Sequence, residues 1–505
     1  MKKIIFILGI LFAFLSSAAY AADEKITDFT VTERNGVSVE GYMISRGIPV
    51  KQGSLNPDEA LIVKDENQRE IATQNKVLSK YSDGSVKWMQ IAFLADLSPN
   101  ETKEYSVYKS SGQNEENLAV TEANGTITAN TGKISLSIDN RGMQKVIING
   151  YNIFEADGTV SAYEPNDQDC YQTNGGTVEL VENGPVYAQF LVKSPYSGGI
   201  MRTEQVYTIY KNSDKIGCDY KWVSCEGTRA GEDKVTSLYE QYNLQKDFSS
   251  FEYKDTSVNN ENISKQYPIY SCDWVQAYNA NADISFTMIT KDVEKFRNYA
   301  GSICNGFIND GSKLIFSPIL YKRGYDWTDG VSRTAHTDIF VRKGKSVDRE
   351  AVLLTQKNTP AVVINPNVYY NAGITESAAI SSAAACQIKA VDWMKGRTNG
   401  NYRAGYIPHD IDVEGGKFGG SDVALGETGF NMWYAQMLSG DADLYDVLIE
   451  HENEYIDDAI YEGAVTEGRG GGRYRIGLVT KNSTHAFYSE FSHLYMSYCM
   501  TGQEH

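Results

Sequence analysis

The chain has 505 residues and a formal net charge of −18, with 41% hydrophobic residues, enough for two to four separately cored domains. A surface this acidic repels nucleic acid and anionic lipid at long range, so neither is expected as a partner, and an acidic ligand needs local basic groups. The 34 tyrosines, against 18 Phe and 6 Trp, offer flat rings with hydroxyls that suit sugar rings, although they also fill ordinary strands.

Residues 1–21 open with Lys2 and Lys3, continue through an apolar run at 4–15 and end in Ala19-Tyr20-Ala21. That order describes a cleaved secretory signal peptide. The apolar run is too short to span a bilayer comfortably, and no cysteine follows it to carry a lipid. The mature protein is therefore expected to be periplasmic or secreted, with no membrane insertion after signal cleavage. Seven widely spaced cysteines follow, with no Cys-x-x-Cys motif. Cys218 and Cys225 lie close enough to pair, and buried free thiols are an equal reading.

Residues 26–108 read as short alternating strands separated by turns. Asp83-Gly84 marks a turn, and Val86 and Trp88 then alternate with Ser85 and Lys87 as a half-buried strand requires. This pattern predicts a small β-barrel or sandwich. Arg46-Gly47-Ile48-Pro49-Val50, Gln74, and Asp83-Gly84-Ser85-Val86-Lys87-Trp88 before Phe93 resemble the N-terminal RIFT-type barrel of the YetA-like and exo-rhamnogalacturonan lyase family. The resemblance implies an exported, carbohydrate-active protein of multidomain β + α class. Its parts are a small RIFT-type β-barrel at 22–110, a large central β-sandwich at 111–370 and a C-terminal α/α toroid at 371–505.

The middle of the chain is strand-rich. Residues 133–139 alternate cleanly, Asn149-Gly150 marks a turn, and further strands are expected at 184–188, 202–210 and 216–223. Gly330-Val331-Ser332-Arg333-Thr334 is similar to a Gly-x-x-Arg-Thr motif that the family carries before its last strand, expected here at 337–341. Trp327 is placed to stack on a sugar, with Arg333 and His336 facing an anionic group. The competing reading has Arg333 buried against a neighbouring domain.

After Pro366 the composition turns helical. An alanine-rich helix is expected at 376–394, and Phe430, Trp433, Tyr434, Met437 and Leu438 mark another, stopped by Ser439-Gly440. Asp441 caps the next, with apolar Leu444, Val447, Leu448 and Tyr455. A last helix is expected from Thr484 to Gly502, burying a stripe of Phe487, Phe491, Leu494 and Tyr498. Leu438-Ser439-Gly440-Asp441 and Met500-Thr501-Gly502-Gln503 recur about 62 residues apart, as helical hairpins of a toroid would. Since the sequence stops at His505, roughly half of that toroid is expected to be missing, so it is a partial one.

Elimination from a uronate polysaccharide needs a cation at the carboxylate, a base for the C5 proton and an acid for the leaving oxygen. The glycine-rich stretch carrying Arg469, Arg473 and Arg475 offers the cation. His485, in the first turn of the expected last helix, is the candidate base, because a helix N-terminus disfavours imidazolium; Tyr488 is the candidate acid and Arg473 the neutralising group. Arg469, Arg475 and His409 are assigned to substrate, which is an acidic polysaccharide or oligosaccharide. Asp410, Asp412, Glu414 and Gly415 match the opening of a calcium loop, but Ser421 occupies the twelfth position, so an EF-hand is not expected. A looser calcium site and a solvated acidic loop both stand, and no other cofactor is expected. A hydrolase with paired carboxylates, drawn from Asp410, Asp412, Glu427 and Glu467, is the rival enzyme. A non-catalytic glycan-binding protein is the rival from another class.

Overall fold

The structure, a computed structural model, describes residues 24–110, 116–165, 170–171, 175–196, 201–224, 233–253, 256–259, 269–270, 272–291, 306–310, 313–319, 325–327, 332–345, 347–379, 410–412, 417–419, 426–459 and 492–502. It is a multidomain, β-rich chain with a RIFT-type barrel, a large sandwich and C-terminal helices.

The barrel is made of two sheets. In one, Lys25–Thr32 lies between Thr102–Ser110 and Ala361–Ile364, with Ala60–Asp65 beyond Thr102–Ser110. In the other, Val86–Leu97 is the centre strand between Val39–Pro49 and Gln74–Lys80. The predicted turn before the centre strand forms as expected. Asp83 accepts hydrogen bonds from the Ser85 N–H (3.0 Å) and hydroxyl (2.6 Å), and Gly84 takes the left-handed φ of 86° that the turn requires. Trp88 is 1% exposed, so the alternation read at 85–88 does point into a core.

The sandwich sets two sheets face to face. One carries Phe154–Pro165, Asp233–Leu244 and Lys313–Ile319; the other runs Tyr187–Pro195, Met201–Tyr210, Lys215–Ser224, Ser332–Lys343, Ile284–Thr290. Phe154, Phe190, Tyr207, Tyr220, Trp222, Tyr242 and Phe286 fill the space between them. A further sheet packs into this core. Its strands Gly142–Ile148 and Tyr151–Asn152 turn at Asn149-Gly150, where both residues have positive φ (50° and 80°), as the asparagine-glycine pair predicts. Cys218 is a buried free thiol, so the pairing with Cys225 that the spacing allowed does not form. The expected strand at 337–341 begins earlier, at Ser332, and takes in Arg333, Thr334 and His336.

The described helices are α1 (Arg349–Lys357), α2 (Asn367–Asn371), α3 (Gly426–Ser439), α4 (Ala442–Ala459) and α5 (Ser492–Thr501). No described helix is long and apolar enough to cross a membrane. Of the helix expected at 376–394, residues 376–379 are irregular rather than helical and the rest lie outside the described residues, as does the expected start of the last helix at Thr484. The two expected stops share one geometry. Gly440 (φ 65°) and Gly502 (φ 73°) are left-handed, and their N–H groups donate to Gln436 O (2.7 Å) and Tyr498 O (2.8 Å). Asp441 then caps α4 by accepting from Leu444 N at 2.8 Å.

Barrel and helices share a single apolar core. Trp433, Leu444, Leu448, Met496, Cys499 and Met500 pack in one cluster with Phe29, Ile48, Trp88 and Phe93. This corrects the stripe expected on the last helix. Leu494 and Tyr498 are only half-buried, whereas His493, Met496, Ser497, Cys499 and Met500 are buried, because α5 is gripped between α3 and the barrel strands. The motif residues explain the grip. Arg46 lies 3.9 Å over the Tyr445 ring of α4 and donates to its hydroxyl at 2.9 Å, while Ser45 and Gln90 both donate to the Thr501 carbonyl.

Gln74 fastens barrel to sandwich. Its side-chain oxygen accepts from Val186 N (3.2 Å) and Tyr187 N (3.0 Å), and its amide donates to Glu182 at 2.7 Å. Gln74→Ala leaves two buried N–H groups unpaired and is expected to destabilise by roughly 2–4 kcal/mol, read by denaturant titration. A loss under about 0.5 kcal/mol would mean that the junction does not depend on this side chain.

Candidate functional site at the sandwich–helix junction

The start of strand Ser332–Lys343 meets the C-terminal half of α4, and the densest described set of functional side chains lies there. Strands alternate their side chains, and this one pairs with Lys215–Ser224 without a register shift, Trp222 opposite Arg333 and Asp219 opposite His336. Ala335, Ile339 and Val341 point into the sandwich core. Ser332, Thr334 and His336 therefore face α4, and Arg333, one position out of phase, is on the opposite face. The joint anion contact expected for Arg333 and His336 is not one that a single face of this strand makes.

Asp457 of α4, 1% exposed, anchors the junction. One carboxylate oxygen accepts from the Ser332 hydroxyl (3.0 Å) and the Thr334 hydroxyl (2.8 Å), and the other from Thr334 N (2.9 Å). Two positions along, His336 Nδ1 lies 2.7 Å from Asp219 Oδ1, and its Nε2 lies 3.4 Å from the amide nitrogen of Asn453, one helical turn before Asp457. An ionised carboxylate only accepts, and an amide nitrogen only donates. The neutral imidazole that satisfies both carries its proton on Nδ1 and a lone pair on Nε2. Both partners stay accessible, with side-chain exposures of 22% for His336 and 47% for Asp219.

On its other side α4 contributes a second pair. Glu452 accepts from the indole N–H of Trp433 (3.2 Å) and lies 2.8 Å from His493 Nδ1, with Glu452 and His493 both almost wholly inaccessible. This trio ties α3, α4 and α5 together. Its burial marks it as a helix-packing device, since a group that meets substrate needs access to it.

The sequence reading missed Asp219, Asn453, Glu452, Asp457 and His493. No local pattern marks them, because each acquires its partner across a domain or helix boundary. Of the residues expected at the site, Arg469, Arg473, Arg475, His485, Tyr488, His409 and Glu414 lie outside the described residues. Trp327 is placed only in its backbone, in strand Tyr325–Trp327. Asp410 and Asp412 lie in a short strand that pairs with Lys417–Gly419 as a hairpin, Asp412 opposite Lys417. Among the described residues no group of three or more His, Cys, Asp or Glu is arranged to hold a metal ion. A polar groove of ≈510 Å³ opens elsewhere, between Arg34, Asn35, Asn358 and the start of α4. Its charges are already engaged, Arg34 by Asp443 and Asp446 and Asp441 as the helix cap.

The architecture defines a multidomain protein whose barrel, sandwich and helices meet at shared interfaces. Within it, residues 35–110 match the PcRGLX-like N-terminal RIFT barrel domain, the segment that carries Arg46-Gly47, Gln74 and Asp83-Gly84. No curated protein matches the sequence. Among solved structures the chain is similar to a glycosyl hydrolase family 38 protein from Enterococcus faecalis, with 12% identity, 69% of this chain and 46% of that one covered, and a TM-score of 0.44. An α-mannosidase from Enterococcus faecalis gives 12%, 69%, 45% and 0.43. A galactose mutarotase-like protein from Lactobacillus casei gives 8%, 43%, 100% and 0.29. The chain spans about half the length of the first two, and all three likenesses are distant.

Proposed function

We propose that this protein acts outside the cytoplasm on an acidic polysaccharide, cleaving a uronate-containing, rhamnogalacturonan-type chain by β-elimination. The observation that carries this reading is the match of residues 35–110 to a barrel domain named for a rhamnogalacturonan lyase-like family. The signal-peptide pattern at 1–21 and the tyrosine-rich composition support it. In this reading Arg473 neutralises the uronate carboxylate, His485 and Tyr488 handle protons, and Arg469, Arg475, His409, Trp327, Arg333 and His336 contact substrate. Calcium at Asp410, Asp412 and Glu414 belongs to the same proposal, and a chelator that leaves turnover unchanged removes it.

Elimination leaves an unsaturated uronate that absorbs in the ultraviolet, so the test is absorbance during incubation with a panel of uronate polymers. Rising absorbance with rhamnogalacturonan is the expected result. New reducing ends without absorbance would replace the lyase by a hydrolase. Retention on immobilised polymer with neither product would make it a glycan-binding protein.

A further inference from the structure

We infer that the hairpin end of the barrel is a binding subsite for acidic sugar residues, with Lys51, Lys80 and Lys87 meeting their carboxylates and Tyr81 and Tyr495 their ring faces. The inference deepens the acidic-polysaccharide reading above and rests on it. Three strands deliver the lysines to one place. Pro49 and Ser79 both register with Trp88, Lys80 pairs with Val86, and Val50 N donates to Lys87 O at 3.0 Å. Lys51 and Lys80 are exposed and Lys87 is half-buried. The loop that carries Lys51 is tied to the hairpin turn, with Gln52 donating to Asp83 (2.9 Å) and Gly53 N to the Ser85 hydroxyl (3.0 Å). The surface is therefore held in shape before a ligand arrives.

On a chain with a formal charge of −18, these lysines are a local exception, since none of the three makes an ion pair with a described residue. The acidic groups nearby are mostly engaged. Asp83 accepts from Gln52 and Ser85, and Glu59, beyond Leu55, pairs with Lys109 at 3.0 Å, which leaves Asp58. A polyanion repelled by the rest of the surface is drawn to such a point, and the compact lysine charge accepts carboxylates from several directions. The aromatic rings stand beside the charge. Lys87 Nζ lies 5.8 Å from the centre of the Tyr81 ring, whose hydroxyl is fixed 3.0 Å from the carbonyls of both Val50 and Ala372. The Lys87 charge also reaches Cys499, one turn along α5 from Tyr495. Tyr495 lies beside Ser79 and is 46% exposed, unusual for so large a ring. An open tyrosine face with a polar tip suits the C–H face and hydroxyls of a sugar.

The test needs no turnover: it is the retardation of the full chain in native gels cast with polymer, each protein compared with its own mobility in a polymer-free gel. Polygalacturonate and rhamnogalacturonan are expected to retard the wild type and neutral dextran is not. The triple variant Lys51→Gln, Lys80→Gln, Lys87→Gln is expected to bind uronate polymer at least about 10-fold more weakly at low salt. Tyr495→Ser is expected to lose about 3-fold and to keep the wild-type salt dependence, because it removes a ring and no charge. The changed side chains are exposed or half-buried, so melting is expected to stay within about 2 °C of the wild type. A control triple, Lys133→Gln, Lys145→Gln, Lys246→Gln, removes the same charge from exposed positions elsewhere and is expected to bind as the wild type does. If the control loses as much as the barrel triple, the effect is net charge and the inference is wrong. If the barrel triple binds as tightly as the wild type, or if the wild type yields unsaturated product without being retarded, the inference is wrong and the lyase reading survives. If the wild type shows neither retardation nor product with any uronate polymer, both fall together.

Discussion

Glu240→Gln is expected to stabilise the protein at pH 8 and to change nothing at pH 4. Glu240 is 0% exposed, on the strand Asp233–Leu244, and its side chain points between the two sheets of the sandwich. Burial pushes its carboxyl from 4.5 up to about 8, although Gln205, which donates to it at 3.2 Å, and Ser161 pull the other way. Between those two values the folded protein holds a proton that the unfolded chain has released. Stability contributed by this group is therefore fully present below pH 4.5 and is lost as pH rises toward 8. At about 1.36 kcal/mol per unit, the loss across the window is roughly 3–5 kcal/mol. Glutamine keeps the shape and an oxygen for Gln205, stays neutral at every pH and abolishes the slope. Urea titrations of both proteins at pH 4, 6 and 8 read the difference, in which all other carboxylates cancel. An equal gain at pH 4 and pH 8 would show that the proton on Glu240 is not its source.

The features legible in the sequence are those whose physics is local. Asp83-Gly84 and Asn149-Gly150 dictate turns through their own dihedral freedom, and Gly440-Asp441 ends one helix and caps the next without outside help. The alternation at Val86 and Trp88 points to a buried face whatever lies behind it. The reading fails where a second element decides. Arg333-Thr334 was recognisable as a motif, but as one lying before the last strand; extending the strand back to Ser332 puts Arg333 and His336 on opposite faces by parity alone. The helix α5 buries a polar histidine because Glu452 waits for it, and hydrophobic periodicity is blind to that. Asp219 and His336 are separated by 117 residues, and nothing in either neighbourhood announces the other.

The motif Arg46-Gly47-Ile48 yields the last expectation, that Gly47→Ala detaches α5 from the barrel. A Cβ at Gly47 would lie inside the contact radius of the Cys499 carbonyl oxygen and carbon. The obstruction is backbone, so no flexible side chain can yield, and the helix itself has to move. Moving it uncovers Cys499 together with Met496 and Met500, the two methionines each worth about 1.5–3 kcal/mol when buried, and strains the Ser45 and Gln90 bonds to Thr501. The expected loss exceeds about 3 kcal/mol. Cys499 reports the movement directly. Its thiol is 0% exposed and burial pushes it up to about 11, so in the wild type it should resist alkylation at neutral pH. In Gly47→Ala it is expected to label first, while Cys218 and Cys272, buried in the sandwich core, stay protected. Peptide mapping after a timed pulse of iodoacetamide separates the three. Labelling of all three at equal rates would mean that the protein unfolds as one unit. Protection of Cys499 at wild-type stability would mean that the barrel accommodates the methyl group and that this glycine is not what seats the helix.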